Sequence, residues 1–294
     1  MVNDLNKLET PIVSVLMTAF NREDFIAEAI ESVLVSSFTD FELIICDDCS
    51  KDDTVAIANK YAAIDKRVKV FVNDKNLGDY PNRNKAASLA KGKYLKYLDS
   101  DDKLYDFGLA YAVTQMEKYP DSPLGMYCSS EMGNVDSEVW SSEKIIREHF
   151  FVKQYLSMGP TGTIINRKFF VESGGFDTRF GPASDMFFNI RFASKYPIVL
   201  LPSLFFYYRI HEGQEKNNRL GYLKFGYLYF KELMQKVQLP LKRKEINFLY
   251  KKMQKRHSIN LTKFYWQTKD LKAVREVMVE TKFSFLAYLF SFFK

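Results

Sequence analysis

Lys93-Tyr94-Leu95-Lys96-Tyr97-Leu98-Asp99-Ser100-Asp101-Asp102 is a short aromatic and apolar segment that stops at three acids. Its alternation and composition predict a β-strand. Carboxylates at the carboxyl end of such a strand stand where open α/β sheets bind their ligands. Three acids this close repel one another unless a cation lies among them, and a hard divalent ion holding phosphate oxygens suits the position. The other reading of the same residues is an acidic turn in water.

Working outward, Ile12 to Met17 is a β-branched run followed by a turn, Thr18-Ala19-Phe20-Asn21-Arg22. Asp24 to Leu34 has helical spacing, with Ile26, Ile30, Val33 and Leu34 on one face. Phe41 to Cys46 reads as a second buried strand ending at Asp47-Asp48-Cys49-Ser50, and a helix follows from about Asp53 to Ala63, with Asp53 or Thr54 as its cap. Val68 to Asn73 is a third strand, Tyr80 to Ala90 a third helix, and Gly92 to Leu98 the fourth strand. Strands alternating with helices over short connections predict a doubly wound, mostly parallel sheet. Beyond it, Tyr105 to Tyr119 and Asp185 to Ser194 read as helices. Leu124 to Ser129, Thr163 to Asn166, Ile198 to Leu201 and Leu204 to Tyr208 read as strands.

The chain has 294 residues, 47% of them hydrophobic, enough for a substantial core. Met1 to Thr10 has no apolar centre, so no signal peptide is expected there. No run approaches the ~20 apolar residues of a spanning helix. Three cysteines, an odd number, point to reduced thiols rather than a disulfide frame. Cys46 and Cys49 have C-x-x-C spacing, but no second Cys or His pair lies nearby, so core packing is the expected role of Cys46.

The net charge of +6 is unevenly spread. Gly213 to Lys294 carries 18 Lys and Arg against 6 Asp and Glu, which leaves the rest of the chain acidic at −6. A basic tail on an acidic body points to an anionic surface as partner, membrane or nucleic acid.

Five strings occur in one order: Val13 to Arg22, Asp47 to Thr54, Asn76-Leu77-Gly78 with Arg83-Asn84, and Leu98-Asp99-Ser100-Asp101-Asp102, continued by Gly174-Gly175-Phe176-Asp177, Asp185 and Tyr207-Tyr208-Arg209-Ile210-His211. Together they resemble the family-2 glycosyltransferases, inverting enzymes of the GT-A fold, over about residues 11 to 212. The resemblance implies a catalytic domain over 1–212, with a nucleotide-sugar half at 11–105 and an acceptor half at 106–212. A helical, basic region over 213–294 would follow it.

The resemblance also implies roles residue by residue. Thr18, Ala19, Asn21 and Arg22 would line the nucleotide, and Asp48 would accept a hydrogen bond from the base, helix capping being its other reading. Arg83 would approach the diphosphate or form a surface ion pair. Asp99 and Asp101 would meet the nucleotide-sugar, Asp101 contacting ribose or metal, and Asp101 and Asp102, the DXD-like acids, would hold Mg²⁺ or Mn²⁺ with His211 as a further ligand, one of the three acids holding the loop or ribose instead. Arg209 would neutralise phosphate. Asp185 would be the general base that an inverting transfer to a hydroxyl needs. The family places an acidic pair there, whereas this chain has Ser184-Asp185. On the acceptor side stands the small polar turn Gly159-Pro160-Thr161-Gly162-Thr163, with Trp140 as a candidate for stacking on a sugar or for plain burial.

The tail has basic clusters at Lys242-Arg243-Lys244, Lys251-Lys252 and Lys255-Arg256, flanking Ile246, Leu249 and Met253 at helical spacing. Phe283 to Phe293 confines its polar atoms largely to Ser284, Tyr288 and Ser291, one narrow stripe on an otherwise apolar helix. It is too short to span a bilayer but suited to lie in its interface. The other reading is packing on the body or on a second copy, as in a homo-oligomer. The expected partners are therefore a UDP-sugar, a saccharide or lipid-linked acceptor, and an anionic membrane surface, with a peripheral location on the cytoplasmic face of the plasma membrane. The acidic body and the lack of a nucleic-acid motif argue against nucleic acid. Two other activities share the sheet and the acids: a sugar nucleotidyltransferase, and a nucleotide-sugar-binding module without transfer.

Overall fold

The computed structural model describes residues 10–128, 136–211 and 218–291. Met1 to Glu9, Ser129, the boundary at Glu212, and Phe292 with Phe293 lie outside the described residues. The chain divides into two compact units, each assembled from separate stretches of sequence. The first takes 1–140, 158–176 and 197–209; the second takes 141–157, 177–196 and 210–294.

The first unit holds the whole sheet. β1 (Val13–Ala19), β2 (Phe41–Asp47) and the first five residues of β4 (Tyr94–Asp99) are buried, as expected for strands covered on both faces. With β3 (Val68–Val72), β6 (Leu124–Tyr127), β7 (Glu138–Trp140), β8 (Thr163–Asn166) and β9 (Ile198–Leu201) they form eight strands in the order β3-β2-β1-β4-β8-β6-β9-β7. The β3-β2-β1-β4 portion is parallel, and the sheet turns antiparallel where β8 joins β4. A separate two-stranded ladder pairs β5 (Lys103–Leu104) with β10 (Phe206–Tyr207). The helices are α1 (Ile26–Leu34), α2 (Thr54–Ile64), α3 (Asp79–Leu89), α4 (Gly108–Glu117) and α6 (Arg167–Glu172).

Every element expected in the first hundred residues is present, with ends displaced by a few residues. The cap of α2 differs: neither Asp53 nor Thr54 caps it by side chain, and Asp52 instead accepts from the Thr54 amide and hydroxyl. The helix expected from Tyr105 starts only at Gly108, because Tyr105 is held by Phe205 beside the β5–β10 ladder. Trp140 is buried in β7, with its indole N–H donated to Glu138, so it is a core residue and not an open stacking platform.

The second unit is helical: α5 (Ser142–Phe151), α7 (Ser184–Ala193), α8 (Arg219–Lys236), α9 (Arg243–Thr268), α10 (Leu271–Glu280) and α11 (Phe285–Phe290). Its core gathers Leu223, Tyr227, Met253, Leu261, Val277 and Phe283. An ion pair between Arg147 and Glu245 at 3.0 Å ties α5 to α9. The last helix shows which way its polar stripe turns. Ser284 caps it, the Tyr288 hydroxyl meets Thr262 at 2.7 Å and Ser291 donates to Ser258 at 2.8 Å, both partners on α9. The stripe is thus spent inside the unit, and Phe285, Leu286, Leu289 and Phe290 are left exposed.

Two buried histidines make this unit acid-sensitive. His149 accepts from the Leu156 amide, and His257 stacks on Tyr227. Burial pushes each imidazole pKa down to about 4, whereas the unfolded chain titrates near 6.5. Between about pH 6.5 and 4 the unfolded chain therefore binds a proton that the folded unit refuses, so stability is complete above that window and falls as pH drops through it. Each histidine is worth up to about 3 kcal/mol by this linkage. The urea midpoint followed by helical circular dichroism should fall steeply between pH 7 and 5, and His257→Phe should reduce that fall.

Candidate active site

In the first unit the loops at the carboxyl ends of β1, β2 and β4 meet. Asn21 takes a left-handed backbone at φ 51°, a conformation Asn tolerates better than most residues. From there its amide donates to Ser50 and its side-chain oxygen accepts from the Lys51 amide. The Arg22 amide donates to Thr54, and Glu23 and Asp53 lie within the same set of exchanges. The loops after β1 and β2, which carry Thr18, Ala19, Asn21 and Arg22, are thereby stitched into one wall.

Asp48 is buried, and both of its oxygens are engaged by the next loop. Oδ1 accepts from the Asn73 side chain at 2.7 Å and the Leu77 amide at 2.8 Å, and Oδ2 accepts from the Gly78 amide at 2.8 Å. Gly78 stands at φ +88°, which a residue with a side chain rarely adopts. Asp48 therefore shapes the turn that starts α3. Asn82 extends this polar chain, accepting from Asn73 and donating to the Cys46 carbonyl. The adjacent Asn84 exchanges two hydrogen bonds with Phe176, docking the Gly174-Gly175 turn on α3.

Arg83 is not a surface residue. It is buried on α3, with Nε donating to Asp79 and Nη1 in ion-pair contact with Asp99 at 2.7 Å. Burial opposes its charge, but Asp79 and Asp99 outweigh burial and hold its pKa well above the ordinary value. Asp101 pairs with Arg22 at 3.3 Å. Arg209 reaches the same loop from the segment after β10: its amide donates to Asp102 at 3.0 Å, its Nε to the Asp101 carbonyl, and its Nη2 to Glu28.

The three acids of the opening segment converge. Asp99, Asp101 and Asp102 each offer an oxygen within 4.8 Å of the others. Their environments differ. Asp99 and Asp101 each pair with an arginine, whereas Asp102 is fully buried and forms no salt bridge among the described residues, only the buried Lys96 acting on it through space. Its Oδ2 also has no hydrogen-bond partner there. Burial first, then the charges of Asp99 and Asp101, push its pKa up to about 7, with the Arg209 amide and the Thr161 hydroxyl opposing. A buried carboxylate left in this state is costly, and a cation among the three would relieve it. The donor set, all carboxylate oxygen, suits Mg²⁺ or Mn²⁺.

Two contacts to the acid-bearing strand were not anticipated, one of them from the turn expected on the acceptor side. Thr161, buried in a 3-10 turn over Pro160–Gly162, accepts from the Asp99 amide through its hydroxyl. Lys96, fully buried within β4, donates to the Thr161 carbonyl, and burial pushes its pKa down to about 7 against the pull of Asp99 and Asp102. The turn expected on the acceptor side is thus fastened to the acid-bearing strand. A lysine within an otherwise apolar strand was the only sequence signal for it.

Asp185 and His211 belong to the second unit. Asp185 is in the first turn of α7, where its Oδ1 accepts from the Met186 amide at 2.7 Å. Ser184, at the position of the missing acid, is buried and donates to the carbonyls of Asp177 and Gly181. His211 is half-buried.

Asp48 tests how much of this order precedes any ligand. Asp48→Ala removes a carboxylate that accepts three donors, and without nucleotide it should lower unfolding stability by about 2–4 kcal/mol in urea titration. A base contact alone would leave ligand-free stability unchanged.

The family described as Glycosyl transferase family 2 matches residues 14–173, more than half of the chain. The glycosyltransferase MJ1057 of Methanocaldococcus jannaschii is 30% identical over 238 residues, 78% of this chain and 79% of that protein. The UDP-Glc:alpha-D-GlcNAc-diphosphoundecaprenol beta-1,3-glucosyltransferase WfaP of Escherichia coli is 42% identical over 91 residues, 31% of this chain and 36% of its own length. Several other curated relatives are likewise matched over less than half of their length. Among solved structures, the mannosyltransferase PcManGT of Pyrobaculum calidifontis, in complex with GDP-Man and Mn²⁺, superposes with a TM-score of 0.64 at 15% identity, covering 97% of this chain and 86% of that one. The sheet is that of the GT-A glycosyltransferases, and the chain belongs to glycosyl transferase family 2.

Proposed function

We infer that this glycosyltransferase moves one sugar from a UDP-sugar to a hydroxyl of a saccharide or lipid-linked saccharide, with inversion, in surface polysaccharide synthesis. The observation that carries the reading is Asp102, a buried carboxylate that forms no salt bridge among the described residues, beside two acids that each form one. Asp101 and Asp102 would hold Mg²⁺ or Mn²⁺, with His211 as a further ligand. Bound there, the ion would offset the charge that builds on the departing diphosphate.

The remaining work falls to the chain's own groups. The wall carrying Thr18, Ala19, Asn21 and Arg22 seats the nucleoside, and Asp48 fixes the loop beside it while presenting its edge to the base. Arg83 pairs with Asp99 and holds it in place for the nucleotide-sugar. Arg209, already braced by Glu28 and the Asp101 carbonyl, adds positive charge near the phosphates. Asp185 accepts the proton of the acceptor hydroxyl, in a helix first turn where a negative charge is favoured. WfaP, by its name, takes UDP-Glc and a diphosphoundecaprenol-linked acceptor, which supports both substrate classes.

Mn²⁺ with a panel of UDP-sugars should raise the thermal midpoint for the true donor. UDP release should require the metal, and Asp102→Ala and Asp185→Asn should each lower turnover by at least about 100-fold. Full turnover in both variants would overturn the mechanism.

We also infer that the second unit rests on an anionic membrane surface. The apolar side of α11 points away from its own unit, lysines follow one another along α9, and no helix among the described residues is long and apolar enough to cross a bilayer. Replacing Phe285, Leu286, Leu289 and Phe290 together by Ser, with the buried Phe283 kept, should weaken flotation with phosphatidylglycerol vesicles at least about tenfold. Unchanged flotation would exclude α11 as the contact.

A further inference from the structure

Lys96 is the third residue of β4 and fully buried, in a strand whose other buried side chains are Tyr94, Leu95, Tyr97 and Leu98. Its Nζ donates to the Tyr97 carbonyl at 2.5 Å and to the Thr161 carbonyl. It also lies 5.3 Å from the centre of the Phe205 ring and 6.0 Å from that of Phe206, within reach of cation–π attraction. The acids that act on it, Asp99 and Asp102, do so only through space. Burying a lysine in this way is costly. An apolar residue of similar length would fill the strand without that cost.

The hydrogen bonds continue beyond Lys96. Thr161, buried in the Pro160–Gly162 turn, accepts from the Asp99 amide at 3.2 Å through its hydroxyl. The Asp99 carbonyl in turn accepts from the Asp102 amide at 2.9 Å. The Thr163 hydroxyl donates to the Pro160 carbonyl at 2.9 Å, which closes the 160–162 turn on itself. Met158 and Phe206 pack against Gly162, where a Cβ would lie 2.3 Å and 3.3 Å from their side chains. One run of hydrogen bonds thus leads from Lys96 through both polar groups of Thr161 to the backbone that carries Asp99 and Asp102.

We propose that Lys96 is a positioning residue: it pins the Thr161 turn to β4 and so sets the Asp99–Asp102 loop in the geometry that receives a divalent cation together with a nucleoside diphosphate. This rests on the reading of Asp101 and Asp102 as metal ligands. Lys96 itself touches neither ion nor nucleotide, and its effect passes through Thr161. Groups that orient metal ligands from behind commonly matter to affinity almost as much as the ligands do.

The test uses the full-length protein and calorimetric titration of UDP with and without Mn²⁺. Lys96→Met keeps the length of the side chain and removes its donors. It should reduce the Mn²⁺-dependent affinity for UDP roughly 10- to 100-fold while metal-free UDP binding stays as it was. Thr161→Val, which cuts the same run one step later, should do likewise, and the two together should cost no more than the larger alone. A packing role would lower the thermal midpoint and leave the gain from Mn²⁺ in place, which would overturn the inference. Equal losses with and without Mn²⁺ would overturn it too. Should Lys96→Met not fold, Thr161→Val decides alone: Mn²⁺-dependent affinity like that of the unaltered protein overturns the inference. If Mn²⁺ does not tighten UDP binding, or Asp102→Ala keeps the gain, the metal reading fails and this inference with it. If Asp102→Ala loses the gain and Lys96→Met keeps it, the metal reading stands and the inference is overturned.

Discussion

A carboxylate buried without a salt bridge dictates much of the first unit. Asp102 is enclosed by its own loop, by the Arg209 amide and by the Thr161 turn, while both nearby arginines are spent on its neighbours. Folding alone leaves it in an unfavourable state, with a pKa pushed up to about 7. The surrounding architecture reads as a means of tolerating that state. Arg83 takes up the charge of Asp99 from below, Arg22 that of Asp101 from the β1 loop, and Lys96 holds the Thr161 turn from within the strand.

The second unit follows another constraint. Its core is small and drawn from residues 223 to 283, and α5 and α7 from the middle of the chain are grouped with these helices in the same unit. The candidate base thus rides with the C-terminal helices and not with the sheet. The region would then be more than an attachment to a finished enzyme.

β1 and β2 were legible because the β-branched runs Val13 to Met17 and Phe41 to Cys46 stop at acids or turns, whereas the short β5 and β7 carry no such run and were not expected. Asp185 was legible as a site residue only through the family likeness, since one acid at a helix start has an ordinary explanation in the helix dipole. Arg83 was half-read: the sequence marks it as functional, but its burial depends on Asp79 one turn earlier and Asp99 on another element, which no local pattern encodes. The Thr161 hydroxyl and the Lys96 ammonium act on a backbone amide and a carbonyl, groups that every residue carries. The orientation of α11 was out of reach for a similar reason. Its stripe of Ser284, Tyr288 and Ser291 could equally face water, and only its pairing with Ser258 and Thr262 turns the apolar side outward.

The stitching between the loops after β1 and β2 bears on how a nucleotide is met. Asn21 with Ser50 and Lys51, Arg22 with Thr54, and Glu23 with Asp52 and Asp53 fix both loops before any ligand arrives. Ordering a loop on binding consumes affinity, and here that entropy is already lost at folding. Were these loops to seat the donor as proposed, it would meet a preformed wall, and its capture would be governed by diffusion and charge instead of by loop closure.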